Sequence, residues 1–169
     1  MKPSPACRAL IRNSEGCRLT AYPDSKGVPT IGIGHTRGVK LGDHCSVQQA
    51  DIWLGQDLED AAASVASLVK VPLTQGQFDA LVSFTYNEGH KRLAESTLLV
   101  LLNKGQYGAA ADQFSQWIYC ESKVLPGLVK RRALERAMFL GAEAAWDPLH
   151  GRPDLGHAGL PTFRFPVLA

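Results

Sequence analysis

No stretch of this chain approaches the ~18 consecutive apolar residues that a membrane-spanning helix needs, so stable insertion into a bilayer is not expected. The beginning, MKPSPACRALIRNSEG, lacks the long apolar run of a secretory leader, because Arg8 and Arg12 interrupt it. There is no Cys-x-x-Cys. His44-Cys45 is the one tight His/Cys cluster and has no matching second pair, so no metal site is expected. The four cysteines, Cys7, Cys17, Cys45 and Cys120, permit three full pairings that sequence cannot choose among. Without a leader, free buried thiols are the first expectation. A large excess of one charge is also lacking: 18 Lys and Arg stand against 16 Asp and Glu, a net charge of +2. A nucleic-acid binder would show a denser basic stripe, so no nucleic-acid partner is expected. No internal repeat or low-complexity tract is present.

What remains is 169 residues, 45% hydrophobic and 20% charged. That suits one soluble domain, with enough apolar surface for a core without staples. Residues 5–14 can form a short helix ending at Glu15-Gly16, since Gly accepts the left-handed conformation that closes helices. Residues 17–40 are β-prone and turn-rich and predict a small antiparallel hairpin or three-stranded sheet. Ser46 with Gln49 makes a capping-box pattern before a helix over 46–70, and Thr74 with Gln77 makes a second before FDALVSFTYNE. Further helices are expected in STLLVLLNKG, in YGAAADQFSQWIY and in LVKRRALERAMFLGAEA. One small β region followed by at least five helices gives an α+β fold, mostly helical. The last stretch, WDPLHGRPDLGHAGLPTFRFPVLA, is too rich in Pro and Gly for regular helix. It is expected to wrap the domain in extended form, with mobility as the alternative.

Residues 14–36, SEGCRLTAYPDSKGVPTIGIGHT, place Glu15, Asp24 and Thr30 within one short turn-rich segment. Glu15 closes a helix, where the macrodipole disfavours a carboxylate. Cover from a neighbour such as Leu19 would add desolvation, and a Glu kept protonated is what a general acid requires. The ordinary alternative is an exposed Glu, or one paired with Arg18. Asp24 suits turn chemistry by itself, and Thr30 suits a strand. Together they fit glycoside hydrolysis, which needs one carboxylic acid for the leaving oxygen and one carboxylate for a water or the sugar carbon. A gap of roughly 6.5–9.5 Å between them leaves room for water and inverts the anomeric centre. Gly32 and Gly34 would let a polymer approach the backbone closely.

Glu15-Gly16, Leu19, Ala21-Tyr22, Asp24, Gly27 and Thr30-Ile31-Gly32-x-Gly34-His35-Thr36 resemble the phage-type lysozymes, glycoside hydrolase family 24. QFDALVSFTYNEG at 77–89, STLLVLLNKGQYGAAADQFSQW at 96–117 and GLVKRRALE at 127–135 resemble the same family. The resemblance covers about residues 1–145. It implies a lysozyme-like fold, with a small β-containing N-terminal lobe joined by a long helix to a helical C-terminal lobe and a cleft between them. It implies a monomeric endolysin that hydrolyses the β-1,4 bond from N-acetylmuramic acid to N-acetylglucosamine in peptidoglycan, without metal or cofactor. By the same resemblance Glu15 is the general acid, and Asp24 and Thr30 position and activate the water. Thr36, Tyr86, Asn87 and Thr97 would face the sugar or peptide, though each is equally readable as a hairpin, core or cap residue.

Residues 146–169 have no counterpart in the family and are too few for a separate wall-binding domain. The apolar anchor of signal-anchor-release endolysins is not seen. The resemblance therefore implies storage in the host cytoplasm and release through a holin pore to the wall in the periplasm. His35 is expected to be a structural hydrogen-bonded imidazole, with an acid as a candidate partner, rather than a cleft residue. KRRALER at 130–136 is expected to be a solvated helix face, with Glu135 pairing Arg131 or Arg132. Met138 and Trp117 read as core. Cys17, two residues from Glu15, offers a thiol or disulfide that could regulate the acid. A lytic transglycosylase and a catalytically silent murein-binding module are the alternatives.

Overall fold

The computed structural model describes residues 1–120, 122–141, 145–147 and 152–154. Helix α1 (Pro5–Glu15) is capped by Ser4, whose side chain accepts from the Cys7 amide. Pro5 sits in its first turn, where a missing N–H costs no hydrogen bond. Gly16, at φ +70°, closes it as the sequence predicts. Strands β1 (Arg18–Pro23) and β2 (Pro29–Gly32) pair antiparallel. The Ala21 amide donates to Asp43 and the Cys45 amide to Leu19, so residues 43–45 give β1 a partial third neighbour. Both sequence-based alternatives for this region are thus partly right.

The long helix α2 (Val47–Leu68) starts at the Ser46 cap. Helix α3 (Gln75–Glu88) opens with the complete Thr74/Gln77 capping box. After it come α4 (His90–Ala94), α5 (Thr97–Asn103, capped by Ser96) and α6 (Tyr107–Asp112). The helix expected over YGAAADQFSQWIY does not continue. A 3-10 turn takes over at Gln113–Gln116, and Tyr119–Cys120 (β3) pairs with Lys123–Val124 (β4). The tighter turn buries Phe114 between Phe84 and Phe139, while Trp117 sets its face edge-on to Phe84. Helix α7 (Pro126–Phe139) stops short of the expected Ala144, because Gly141 at φ +67° turns the chain. Beyond it only the antiparallel pair β5 (Ala145–Asp147) and β6 (Arg152–Asp154) is described. The expected wrapping by the rest of the tail lies outside the described residues.

The fold is α+β and lysozyme-like, with the β-pair and its loops forming one lobe and α3 to α7 the other. Helix α3 is the centre of the helical lobe. Residues Phe78 to Thr85 are all buried, a full-circumference burial that only a surrounded helix shows. It packs against α2 on one side and against α7 and α1 on others. A fully buried phenylalanine such as Phe84 stabilises by ~1.5–3 kcal/mol. Met138 and Trp117 pack against this core, as expected.

Polar contacts fix the smaller lobe to the long helix. His35 Nδ1 lies 2.7 Å from Asp57 of α2, and its ring stacks on Trp53 at 4.7 Å. The structural role expected for His35 is therefore the observed one. Gly32 corrects an expectation: a side chain there would meet Ala50 of α2, its Cβ coming within 3.1 Å of the Ala50 Cβ. Gly32 serves packing against α2 rather than access by a polymer. Arg8 and Arg12 of α1 both reach Asp51 of α2.

The KRRALER segment also departs from expectation. Arg131 is 4% exposed, Arg132 1% and Glu135 0%. Glu135 pairs with both arginines, as expected, but inside the protein rather than on a solvated face.

Two predictions follow from these contacts. Gly32→Ala combines a left-handed backbone, costing ~1–2 kcal/mol, with a clash against Ala50. Gly27, at φ +79°, has open space around it. Chemical denaturation should show Gly32→Ala losing more stability than Gly27→Ala; equal losses would mean that the α2 contact is unimportant. The hydrogen bond from Arg12 holds the Asp51 carboxyl below its ordinary range, against the opposing effect of burial. Its contribution is present above the unfolded-state value of ~3.9 and fades as pH falls through the lower folded-state value. Screening by solvent keeps it below about 1 kcal/mol. The Tm difference between the wild type and Asp51→Asn should be positive at pH 6 and vanish near pH 2.

Candidate active site

The three residues that the sequence groups together come from three adjoining pieces of structure. Glu15 ends α1, Asp24 sits in the turn between β1 and β2, and Thr30 lies on β2. They line one open cleft of about 300 Å³, together with Tyr22, Gly34, Thr36, Tyr86, Asn87, Glu88 and Gly89. One wall is the β-hairpin and the loop after it; the other is the C-terminal end of α3. A second hollow of about 290 Å³ shares Gly34, Thr36 and Tyr86 and runs on past Arg37, Asp60 and His90. The two hollows share these lining residues and so form one continuous groove.

The turn fixes Asp24 by its own backbone. Oδ1 accepts from the amides of Lys26 and Val28, both at 2.8 Å, while the Asp24 amide donates to the Val28 carbonyl. This Asx-type arrangement leaves Oδ2 available to a water. Thr30 Oγ1 donates to the Val28 carbonyl at 2.9 Å. With its proton committed, the hydroxyl offers lone pairs and can accept a hydrogen bond from a water.

Glu15 has a partner that its local sequence does not reveal. Oε1 accepts from Nη1 of Arg131 at 2.5 Å, across 116 residues of sequence. The expected alternative partner, Arg18, instead stands over the Tyr22 ring at 4.4 Å. Leu19, the neighbour expected to cover Glu15, is itself 40% exposed. Gly34, at φ +79°, lies against the acid: a Cβ there would come within 3.4 Å of Glu15 Cδ and Oε2 and 3.5 Å of Tyr86. The missing side chain at Gly34 leaves open the space beside the Glu15 carboxyl and the Tyr86 ring.

Buried charge surrounds this acid. Arg131 donates through Nε to Glu135 Oε1 at 3.1 Å and through Nη2 to the Ser83 carbonyl at 3.0 Å. Burial opposes its charge, yet the carboxylates of Glu135 and Glu15 outweigh burial and raise its pKa. Arg132 pairs with Glu135 and Glu88 and donates to Asn87 Oδ1. Arg92 pairs with Glu88 at 2.5 Å. Three arginines thus face three glutamates. Tyr86 donates to the Ile33 carbonyl at 2.5 Å. Burial first, then the Asp57 and Glu15 carboxylates, pushes its phenol pKa upward. Burial and Glu15 raise that of Tyr22 in the same way.

Of the four residues expected to face a ligand, Thr36, Tyr86 and Asn87 line the cleft. Thr97 does not; it is exposed at the start of α5, next to the Ser96 cap. All four cysteines are free thiols, with Cys7 buried and Cys17 exposed. Among the described residues no three His, Cys, Asp or Glu side chains are grouped as a metal ion would need. The residues that local sequence did not bring to the site are Arg131, Glu135 and Ser83. The spacing of Arg131 and Glu135 on α7 was visible, but that they would meet Ser83 of α3 and Glu15 of α1 was not.

A sequence profile of the family described as Phage lysozyme matches residues 12–135. The chain is 41% identical over 139 residues to the endolysin of Acyrthosiphon pisum secondary endosymbiont phage 1, spanning 79% of this chain and 94% of that protein. It is 42% identical over 135 residues to the endolysin of Salmonella phage P22, spanning 77% and 92%. Among solved structures, the muramidase domain of SpmX from Asticaccaulis excentricus superposes with a TM-score of 0.76 at 38% identity, over 82% of this chain and 97% of that one. A crystal structure of a P22 lysozyme mutant gives 0.71 at 40% identity, over 83% and 99%. Matched over most of its length in sequence and in fold, this chain belongs to the phage lysozyme family of glycoside hydrolases.

Proposed function

We propose that this protein is an endolysin that hydrolyses the β-1,4 bond between N-acetylmuramic acid and N-acetylglucosamine in peptidoglycan, with inversion at the anomeric carbon. The observation that carries this reading is the shared cleft: Glu15, Asp24 and Thr30 line one open groove. In the reaction Glu15 gives its proton to the glycosidic oxygen, and the bond to the anomeric carbon breaks. A water held by Asp24 Oδ2 and Thr30 Oγ1 attacks that carbon from the opposite face, and Asp24 takes the water's proton. One water is consumed and each new end is a free sugar hydroxyl. Tyr86 and Thr36 would line the path of the glycan. Asn87, its oxygen engaged by Arg132, would offer its amide hydrogens to a carbonyl.

The setting that fits this activity is lysis of the host cell. The protein would be made in the cytoplasm, pass the inner membrane through a holin pore, and act as a monomer on the wall in the periplasm. Residues 1–145 would form the catalytic domain and 146–169 an appended tail.

Two experiments test the reading. Loss of a general acid costs ~10²–10⁴-fold in rate. Glu15→Gln should therefore lose clearing of purified peptidoglycan by about that factor with its circular dichroism unchanged, and Asp24→Asn should lose most activity. Full activity in either variant removes that residue from the chemistry. In a muropeptide digest read by mass spectrometry, hydrolysis leaves reducing ends one water heavier than the anhydro ends of a transglycosylase. Proton NMR of a fresh digest should show the α anomer first; the β anomer first would replace inversion by retention.

A further inference from the structure

Glu135 touches neither the cleft nor solvent, yet it holds the arginine that holds Glu15. Its Oε1 accepts from Arg131 Nε at 3.1 Å and from Ser83 Oγ at 2.7 Å, while Oε2 accepts from Arg132. The same Arg131 guanidinium donates from Nη1 to Glu15 at 2.5 Å. One cation is thus divided between two carboxylates, one fully buried and one at the cleft with its side chain 21% exposed. We propose that Glu135 is a positioning residue for the reaction: by holding Arg131 from behind, it limits that cation's pull on Glu15 and so sets the upper pH limit of activity. This inference rests on the reading of Glu15 as proton donor.

The physical reason is the proton inventory of that mechanism. A donor must carry its proton when substrate binds, and an unopposed guanidinium at hydrogen-bond distance would favour the ionised form. A second carboxylate on the far side of the guanidinium opposes this in two ways. It offsets part of the positive charge through an interior where charges are weakly screened. It also fixes the Nε edge of the guanidinium, so that only Nη1 is directed to Glu15. The other charged and titratable groups near Glu15 are engaged elsewhere. Arg12 on α1 faces Asp51, and Arg18 on β1 covers Tyr22. Asp24 is tied to its turn and Tyr86 on α3 to Ile33. Glu88 on α3 is paired with Arg92 and Arg132. Arg131 is thus the cation bonded to Glu15, and Glu135 is its principal restraint.

The test is the pH dependence of kcat/KM on soluble glycan fragments. Glu135→Gln keeps the shape and one acceptor oxygen but removes the charge and the second acceptor. Its alkaline limb should move down by about one pH unit, the order of a single close charge, which is a ~10-fold loss on the descending limb. The acid limb should stay in place. Glu135→Asp keeps the charge and should restore most of the shift. Ser83→Ala, a small buried change expected to fold even if Glu135→Gln does not, removes a hydroxyl that donates to Glu135 at 2.7 Å and only weakly accepts from Arg131 Nη2, at 3.4 Å. That leaves Glu135 to lean harder on Arg131, so the limb should move up instead. Opposite displacements in the two variants are not what general structural damage gives. An alkaline limb unmoved in folded Glu135→Gln or Ser83→Ala would overturn the inference. If Glu15→Gln is inactive at the same time, the assignment of Glu15 survives that failure; if Glu15→Gln is active, the assignment itself is wrong.

Discussion

A guanidinium buried to 4% exposure cannot stand without anions, and the placing of those anions around Arg131 organises much of this protein. Desolvating an ion costs several kcal/mol even after relaxation. The cost is offset here by Glu135 from the same helix and Glu15 from the end of α1, with the Ser83 carbonyl of α3 taking a further N–H. Three helices distant in sequence meet at one side chain. Because Glu15 is one of the three anchors, the end of α1 is held where its carboxyl can face the β-hairpin. Stability and the candidate chemistry thus draw on the same contact.

The opposite wall of the groove is made more locally. The turn that carries Asp24 closes through bonds within five residues, and Thr30 is tied to the same Val28 carbonyl that the Asp24 amide uses. The wall is then moored to α2 by His35 on Asp57 and Trp53 and by the close approach of Gly32 to Ala50. A rigid hairpin facing an acid held by buried ion pairs is a preorganised arrangement. Catalytic groups so held need not reorganise when the bond breaks.

Much of the architecture was legible because its signals are local. Caps at Ser46 and Thr74 and the closing glycine at 16 act within one turn of backbone, and each stands where the sequence placed it. Grouping Glu15 with Asp24 and Thr30 was legible because one short segment carries them. The errors share the opposite property. The helix expected through Tyr119 fails because Phe114 must turn into an aromatic cluster and because residues 119–120 find strand partners. The arginines of α7 looked solvated because nothing nearby in sequence says that α3 and α1 will cover them. Thr97 was set at the groove by likeness of motif, but it is exposed at the start of α5 and does not line the cleft that holds Glu15.

The sequence by itself determined the first helix, the hairpin after it, the starts of α2 and α3, the lysozyme-like class and the turn that presents Asp24, since capping, glycine conformation and Asx bonding act over a few residues. Tertiary structure decided that Glu15 would meet Arg131, that Glu135 would be buried behind it, and that Gly34 rather than Gly32 would open onto the cleft. The physical reason is range. Local hydrogen bonds are written in neighbouring residues, whereas the neutralisation of a buried charge depends on which helices the packing brings together.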